Sequence, residues 1–362
     1  MSFKCGIIGL PNVGKSTLFN TLTKGNSVVA NFPFCTIKPN IGIVSVPDTR
    51  IDELSKIINP KKIIRACIEF VDIAGLVKGA SKGEGLGNQF LNTIRESDTI
   101  AHVVRCFKDR NITHIYNQIN PEKDVSIINN ELILSDFETC NKAIFQLKKN
   151  IKINNQDKEK ILITLKKCMD CLNNFKMIKN IFLDDNEKKL ISHFRFLTLK
   201  PTMYIANIDD SQESLIFLNS LKEIAKKENS KVIPISALLE LDLSKMDNLD
   251  QKEFMKEFNI KQLGLNNIII QGYQLLNLIT FFTAGKKEIH AWSIPNGSTS
   301  LQAADKIHSD FKKGFIRSQI IKFSDFLKYK NEVKIRELGK FKTEGKDYLV
   351  QDGDIIHFLF NV

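Results

Sequence analysis

The stretch Gly9-Leu10-Pro11-Asn12-Val13-Gly14-Lys15-Ser16-Thr17 decides the fold of this chain. It follows the apolar run Phe3–Ile8, which has the length of a buried strand, and it precedes apolar residues at helical spacing. A glycine-rich loop of this pattern between a strand and a helix is a P-loop, whose backbone amides converge on phosphate oxygens. Lys15 would neutralise phosphate charge and Ser16 would offer a hydroxyl to Mg²⁺. The residues predicted to bind the phosphate ligand are Asn12, Val13, Gly14, Lys15, Ser16 and Thr17.

A second apolar run, Ile68–Val71, ends in Asp72-Ile73-Ala74-Gly75. Parallel strands bring their carboxyl ends to one edge of a sheet, so we expect Asp72 beside the phosphate loop, holding Mg²⁺ through water. Gly75 can bring its amide to a γ-phosphate, and with Lys15 it is a predicted catalytic residue. Five glycines lie between positions 75 and 87, which predicts a segment that orders on a γ-phosphate and relaxes after its loss.

Between these two motifs lies Asn31–Asn40, a segment that contains two prolines and Thr36. Its position predicts that Thr36 completes the coordination of Mg²⁺, together with Ser16, when a γ-phosphate is present. The preceding residue, Cys35, has two interpretations. It is either a thiol whose oxidation disturbs the metal site or a small buried hydrophobic side chain.

Composition restricts the other classes of protein. The length of 362 residues and the hydrophobic fraction of 43% predict about two globular domains. The net charge of +11 favours an acidic partner, most often nucleic acid, although a surplus of solubilising charge explains it as well. Seven cysteines without an export signal are typical of reduced cytoplasmic thiols. No membrane partner is expected, because the most apolar stretch, Ile268–Phe282, is interrupted by polar residues.

The P-loop, the segment Asn31–Asn40 and the run Asp72–Gly87 together resemble the YchF-type Obg-like ATPases, an Obg branch of the translation-factor P-loop proteins. A C-terminal segment continues the resemblance, which therefore covers nearly the whole chain. The resemblance implies a Mg²⁺-dependent nucleoside-triphosphatase that prefers ATP, hydrolyses it to ADP and phosphate, and associates with ribosomes.

The residues alone leave the choice of base open. GTPases of this class recognise guanine with Asn-Lys-x-Asp, and here the strand-like Met203–Ala206 is followed by Asn207-Ile208-Asp209-Asp210. Ile208 replaces the lysine, whereas Asp210 stands where the resembling family usually has glutamate, so guanine recognition stays open on chemical grounds. The resemblance favours ATP. The residues predicted to contact the base are Asn207, Ile208, Ser236, Ala237 and Leu238.

The position that usually orients the attacking water is apolar in this chain. Leu76 follows Gly75, where Ras-type enzymes carry glutamine. His114 could swing toward the nucleotide from a loop and act in its place, or it could be an ordinary surface histidine. Arg95 is a further candidate for stabilising charge, and His102, inside a strand-like run, is expected to be a core residue.

The fold class predicted here is α/β: an OBG-type P-loop NTPase domain with an inserted α-helical coiled-coil hairpin and a C-terminal β-grasp (TGS-like) α+β domain. The predicted nucleotide-binding domain spans 3–256, with the hairpin at about 125–195, and the TGS domain spans 278–361. Strand-like runs, a helix over Ser300–Phe311 and a closing strand near Ile355–Phe360 indicate a small α+β domain. Gly297-Ser298-Thr299-Ser300 and the segment Gln351–Ile355 resemble the TGS domain of the same family. Cys168 and Cys171 lack a second ligand pair and are expected on one helical face rather than on zinc. Lysines predicted on the outer face of the hairpin are Lys148, Lys149, Lys152, Lys158, Lys160, Lys166 and Lys167.

These features together predict a cytoplasmic Mg²⁺-ATPase switch whose partners are ATP, the ribosome (the large subunit or the whole particle) and the rRNA backbone. No membrane contact and no DNA specificity are expected. The lysines around the hairpin tip suit a phosphate backbone about as well as they suit a solvated face. Three alternatives stay open: a GTPase of the same architecture, a ribosome- or RNA-binding adaptor with a structural nucleotide, and, less well supported, a small-molecule kinase.

Overall fold

The computed structural model describes residues 3–24, 40–73, 86–149, 155–258, 260 and 263–361. Thr36, Cys35, Gly75, Leu76, Lys152 and most of the glycine-rich segment lie outside these ranges. The strands, in chain order, are β1 (Phe3–Ile8), β2 (Ile41–Ser45), β3 (Lys62–Ile64), β4 (Cys67–Asp72), β5 (Thr99–Arg105), β6 (Thr202–Asn207), β7 (Lys231–Ile235), β8 (Leu278–Ala284), β9 (Glu288–Pro295), β10 (Phe315–Lys322), β11 (Lys342–Glu344) and β12 (Asp354–Phe360).

The helices surround two sheets. In chain order they are α1 (Lys15–Lys24), α2 (Thr49–Ile58), α3 (Leu86–Glu96), α4 (Pro121–Lys149), α5 (Asn155–Asn173), α6 (Asp185–Ile191), α7 (Gln212–Lys227), α8 (Ala237–Leu243), α9 (Asn248–Glu257), α10 (Gly264–Leu275), α11 (Ser300–Ile307), α12 (Ser309–Lys313), α13 (Phe323–Tyr329) and α14 (Glu332–Glu337). Short 3-10 turns occupy Ile178–Asn180 and Ser192–Phe194. No helix within the described ranges has the length and apolar character to cross a bilayer.

The first sheet has the strand order β2-β4-β1-β5-β6-β7. Only β2 is antiparallel to its neighbour, and the other pairs are parallel. Every residue of β5 is buried, as expected for a central parallel strand with helices on both faces. The carboxyl ends of β1, β4, β6 and β7 therefore meet at one edge, where the P-loop, Asp72, Asn207 and the segment 236–238 follow directly.

The α4–α5 pair forms the helical hairpin, with its connection at 150–154 outside the described residues. The first turns of α4 belong to the sheet, because Val125 packs in one cluster with Val104 and Tyr204. Farther along, Cys140 Sγ contacts the Leu165 carbonyl oxygen of α5 at 3.3 Å. The expected boundary near 125 thus falls within a helix that the sheet and the hairpin share.

Buried Asp136 fixes α4 to the chain that returns from the hairpin. Its carboxylate accepts hydrogen bonds from the Leu197 amide at 3.0 Å, the Thr198 amide at 2.7 Å and the Thr198 hydroxyl at 2.8 Å. Three donors compensate the cost of burying this charge, so the base of the hairpin is held by a specific polar contact.

The second sheet has the strand order β11-β10-β12-β8-β9-β3 and contains a strand from the N-terminal half. Strand β3 pairs in parallel with β9 in the register Lys62↔Glu288 and Ile64↔His290. The sequence pattern does not predict this pairing. A core that includes Phe281, Ile356 and Ala303 lies between this sheet and α11.

One detail of the C-terminal domain differs from the sequence-based prediction. The helix predicted over Ser300–Phe311 is broken at His308, which is extended (φ −162°, ψ 148°) and caps α12 through its side chain. Before β12, Leu349 forms an isolated bridge to Thr299. Helix α10 precedes β8, and its Ile268 and Ile269 are fully buried.

Arg50, on α2, connects the nucleotide-binding domain to the C-terminal domain. Its guanidinium binds Asp352 at 2.7 Å and Asp48, the N-cap residue of α2, at 2.8 Å. It also lies 5.4 Å from the centre of the Phe282 ring. Because Asp352 accepts the Thr280 amide at 2.8 Å as well, the contact links α2 to the interior of the second sheet.

Candidate nucleotide-binding site

Two glycines shape the P-loop because no other residue fits their positions. Gly14 has φ +96°, and a Cβ there would lie 2.4 Å from Asn207 Nδ2. A Cβ on Gly9, which has φ +152°, would lie 2.4 Å from the Val103 carbonyl oxygen. A side chain at either place would meet a backbone or amide group that cannot withdraw, so the loop requires glycine at both.

Lys15 is the buried cation of the loop. It is 7% exposed, and its Nζ donates to the Leu10 carbonyl oxygen at 2.7 Å. Burial lowers the pKa of Lys15 to about 8, although the charge of Asp72 opposes this shift. The ammonium group is therefore held across the loop at a site where a phosphate would bring both charge and a better acceptor.

Asp72 and Ser16 together fit a Mg²⁺ site. Ser16 Oγ donates to Asp72 Oδ2 at 3.2 Å, across 56 residues of sequence. The other carboxylate oxygen, Oδ1, is buried and has no hydrogen-bond partner among the residues that the structure describes. An unpaired buried carboxylate oxygen beside a hydroxyl matches the oxygen donors that Mg²⁺ and its bound water prefer. The other predicted participants, Thr36 and Gly75, lie outside the described residues.

Asn207 links the P-loop to the loop after β7. Its Nδ2 donates to the Val13 carbonyl oxygen at 2.9 Å, and its Oδ1 accepts the Ala237 amide at 3.1 Å. The side chain is buried, so both halves of the amide are satisfied inside the protein. Asn207 therefore positions the walls of the site, an arrangement that its place at the end of β6 allows.

The remaining predicted base contacts surround this amide. Ile208 is half-buried, and Leu238 is 68% exposed on the first turn of α8. The side chain of Ser236 caps that helix by accepting the Leu239 amide at 3.4 Å. Asp210 is exposed. Apolar side chains thus stand at the lysine position and in the last loop, where an adenine or a guanine ring could pack.

His114 lies in the loop 106–120, which contacts the P-loop directly. Asn12 Nδ2 donates to the carbonyl oxygen of Thr113 at 3.1 Å. His114 itself is buried, with Nε2 3.0 Å from Asp124 Oδ2 on the first turn of α4. It is therefore not a surface histidine, and its proposed role in hydrolysis stays a prediction.

Arg95 does not lie near the nucleotide site. Its guanidinium contacts Ser135 Oγ at 2.8 Å, Thr139 Oγ1 at 3.0 Å and Asp136 at 3.5 Å, close to the start of β5. The start of a parallel strand is at the opposite edge of the sheet from the P-loop, so the idea that Arg95 stabilises transferred charge is wrong. Its charge instead supports buried Asp136.

Arg105 is a residue whose role the sequence did not suggest. It is 1% exposed and donates to the carbonyl oxygens of Phe107 at 3.1 Å, Ile112 at 3.0 Å and Asp109 at 3.2 Å. These bonds hold the loop that carries His114. The available signal was an arginine at the end of an apolar strand, where a buried cation needs several acceptors.

The other histidine and cysteine predictions concern structure. Burial lowers the pKa of His102 to about 3, as expected for a neutral core residue. Cys168 and Cys171 are buried on α5. Within the described ranges, no group of three or more His, Cys, Asp or Glu residues could hold a metal ion, so the paired cysteines have no zinc partners there.

The site consists of a P-loop, the hydroxyl–carboxylate pair of Ser16 and Asp72, and Asn207, which connects the P-loop to the loop after β7. On a mostly parallel sheet, this combination is that of a P-loop nucleoside-triphosphate-binding protein. Two family profiles match the chain: "50S ribosome-binding GTPase" over residues 4–163, and YchF-GTPase_C, described as "Protein of unknown function (DUF933)", over residues 278–361. The chain belongs to the YchF family, and the predicted resemblance and fold class are confirmed.

Relatives match along the entire chain. "Ribosome-binding ATPase YchF" of Buchnera aphidicola subsp. Schizaphis graminum is 70% identical over 362 residues, covering 100% of both chains. The protein of the same name from Escherichia coli O157:H7 is 54% identical over 363 residues, again covering 100% of both. The solved structure of the Schizosaccharomyces pombe YchF GTPase is 36% identical, covers 99% of this chain and 98% of its own, and superposes with a TM-score of 0.87.

Proposed function

We propose that the protein is a cytoplasmic, Mg²⁺-dependent ATPase that hydrolyses ATP to ADP and phosphate and associates with the ribosome as a nucleotide-dependent switch. The observation that carries the proposal is the meeting of Lys15, Ser16 and Asp72 at one sheet edge, with a buried carboxylate oxygen left unpaired among the residues that the structure describes. The full-length bacterial relatives named ribosome-binding ATPases support the same function.

The residues divide the work of phosphoryl transfer. Lys15 and the P-loop amides stabilise the negative charge that develops on the phosphates while water attacks the γ-phosphate. Mg²⁺ would be held by Ser16 Oγ, by Asp72 through water and, as predicted, by Thr36, and when bound it neutralises β- and γ-phosphate charge. The amide of Gly75 is proposed to contact the γ-phosphate.

ATP is the favoured nucleotide because Ile208 has neither the charge nor the donors of the guanine-reading lysine. A GTPase is the second candidate, because Asp210 is an exposed carboxylate at the position that pairs with guanine N–H groups. The names of the relatives differ in the same respect, with the two bacterial proteins called ATPases and the Schizosaccharomyces pombe protein a GTPase. Competition between ATP and GTP for the purified protein decides the matter, and a tenfold preference for GTP would exclude the ATPase assignment.

Hydrolysis needs a group that orients water, and Leu76 has no polar side-chain atom for that task. We propose His114, because its loop contacts the P-loop through Asn12 and Thr113. An imidazole can orient a water molecule by accepting its proton or by donating to its oxygen. The histidine must first leave its contact with Asp124, since both side chains are buried in the described conformation.

The ribosome is proposed to contact the lysine-rich part of the hairpin. Lys148 and Lys149 end α4, and Lys160 and Lys166 on α5 are exposed too, whereas Lys167 is paired with Glu187 at 2.5 Å. Clustered ammonium groups attract a phosphate backbone without reading its sequence, which fits rRNA of the large subunit and predicts no DNA specificity.

The central experiment is Lys15→Ala, assayed for ATP hydrolysis and for co-sedimentation with ribosomes on the same preparation. We expect a loss of turnover of about 100-fold or more, because a positioned charge at the transferred phosphate is removed. Lys189→Ala, which removes an exposed lysine from α6, is the matched control and should behave like the unaltered chain. Wild-type protein that binds ATP and ribosomes but never turns over would favour the adaptor alternative.

A further inference from the structure

Both ring nitrogens of His114 are occupied inside the protein. Nε2 lies 3.0 Å from Asp124 Oδ2, and Nδ1 accepts the Tyr116 amide at 3.3 Å. Since a backbone amide can only donate, Nδ1 carries no proton, and the proton of the neutral ring is on Nε2, facing the carboxylate. The side chain is only 4% exposed. In this conformation, His114 has no atom available for a water molecule at the nucleotide.

Asp124 is poorly compensated for a buried carboxylate. It is 2% exposed, and its Oδ1 has no hydrogen-bond partner within the part of the chain that the structure describes. Burial raises the pKa of Asp124, while His114, Lys123 and Arg105 oppose the shift. Arg105, however, directs its hydrogen bonds to loop carbonyl oxygens. A buried carboxylate with too few hydrogen-bond donors lowers the stability of the protein. A contribution to stability therefore does not explain Asp124, and a functional explanation is needed.

The location of the pair suggests that explanation. Thr113, the neighbour of His114, accepts a hydrogen bond from Asn12 of the P-loop, whereas the buried ring of His114 contacts Asp124 of α4. Asp124 lies on the first turn of α4, a helix that Val125 packs against the sheet and that Asp136 fixes to the chain returning from the hairpin. The acceptor that holds His114 is therefore on a rigid element, whereas His114 is on a loop.

We propose that Asp124 is a positioning residue that retains His114 in a withdrawn state, and that release of this contact precedes ATP hydrolysis. The inference rests on the proposed function, in which His114 orients the attacking water. It predicts that weakening the contact makes basal hydrolysis faster, whereas a supporting role for Asp124 predicts slower hydrolysis.

The test is a double-mutant cycle with Asp124→Asn and His114→Ala, assayed for ATP turnover without ribosomes. The asparagine side chain would keep the size of the aspartate but replace a charged acceptor by a weaker neutral one, so we expect turnover about fivefold faster than wild type. In the His114→Ala background, Asp124→Asn should have no effect on turnover. Glu122→Gln is the matched control, because it removes an exposed acid from the same helical turn and does not contact His114.

Hydrogen exchange provides a readout other than activity. The amides of the loop 106–120 should exchange faster in Asp124→Asn than in wild type or Glu122→Gln, with unchanged circular dichroism. Unchanged or slower turnover in Asp124→Asn, unchanged loop exchange, or an acceleration that persists without His114 would each overturn the inference.

If Asp124→Asn does not fold, Asp124→Glu, which displaces the carboxylate by one methylene, takes its place with the same expected directions. Wild-type protein that binds ATP without hydrolysing it would instead overturn the proposed function, and the inference with it.

Discussion

The lowered pKa of Lys15 predicts that ATP affinity depends on pH in a range where few other groups titrate. Burial brings this pKa to about 8 in the nucleotide-free protein. Phosphate binding needs the protonated ammonium and holds the proton in the complex. As the pH rises through 8, the free protein loses that proton, so binding weakens at high pH rather than at low pH.

The size of the effect follows from the protonated fraction. With a pKa of about 8, Lys15 is about 90% protonated at pH 7 and about 10% at pH 9. The apparent dissociation constant for Mg²⁺-ATP should therefore increase about tenfold between these values, and about twofold by pH 8. Isothermal titration calorimetry at constant ionic strength measures this directly, and proton uptake on binding should be greatest near pH 9.

Lys15→Arg is the matched control, because a guanidinium stays protonated throughout this range. Its affinity is expected to be lower in absolute terms but constant between pH 7 and 9. A wild-type dissociation constant that does not change with pH, or an arginine variant with the same slope, would refute the argument that the buried ammonium is the titrating group.

Other predictions concern the braces of the fold and the metal site. Asn207→Ala should weaken ATP binding about tenfold and destabilise the protein by about 2 kcal/mol, because two buried hydrogen bonds are lost; calorimetry and urea unfolding measure both. Asp72→Asn should shift the Mg²⁺ dependence of hydrolysis to concentrations at least about tenfold higher, and an unchanged Mg²⁺ titration would argue against the assigned site. Arg50→Ala should lower the free energy of unfolding by about 1 kcal/mol, since its pair with Asp352 is partly exposed, whereas Lys188→Ala, which breaks an exposed i,i+3 pair, should change it by far less.

The nucleotide-binding half of the fold could be predicted because its signals are local. A strand, a glycine loop and a helix follow one another within residues 3–24, and parallel strands impose a common edge on the motifs that end them. The place of Asp72 beside the phosphate loop could therefore be predicted from its position after an apolar run. No long-range contact had to be known.

The parts that sequence could not supply depend on contacts between distant segments. Strand β3 has only three residues, and it pairs with β9, which lies far along the chain in the C-terminal domain. The spacing of hydrophobic residues can indicate that a segment is a strand, but it does not indicate which other strand it pairs with. The contact of His114 with Asp124 cannot be predicted from the sequence either. An acidic residue on the first turn of a helix is usually explained by its favourable interaction with the helix dipole. His308 interrupts the predicted helix because its side chain accepts a hydrogen bond from the Asp310 amide. The spacing of apolar residues gives no indication of such a local hydrogen bond.

Strand β3 has a consequence for any attempt to divide the protein. A fragment beginning at Leu278 would lack residues 62–64, and the outer backbone groups of β9 would then face solvent as an open template for other chains. In the nucleotide-binding fragment, the backbone groups of β3 that pair with β9 would lack their partners. Each half, made alone, should therefore tend to self-associate, and mixing the two should restore monodisperse material.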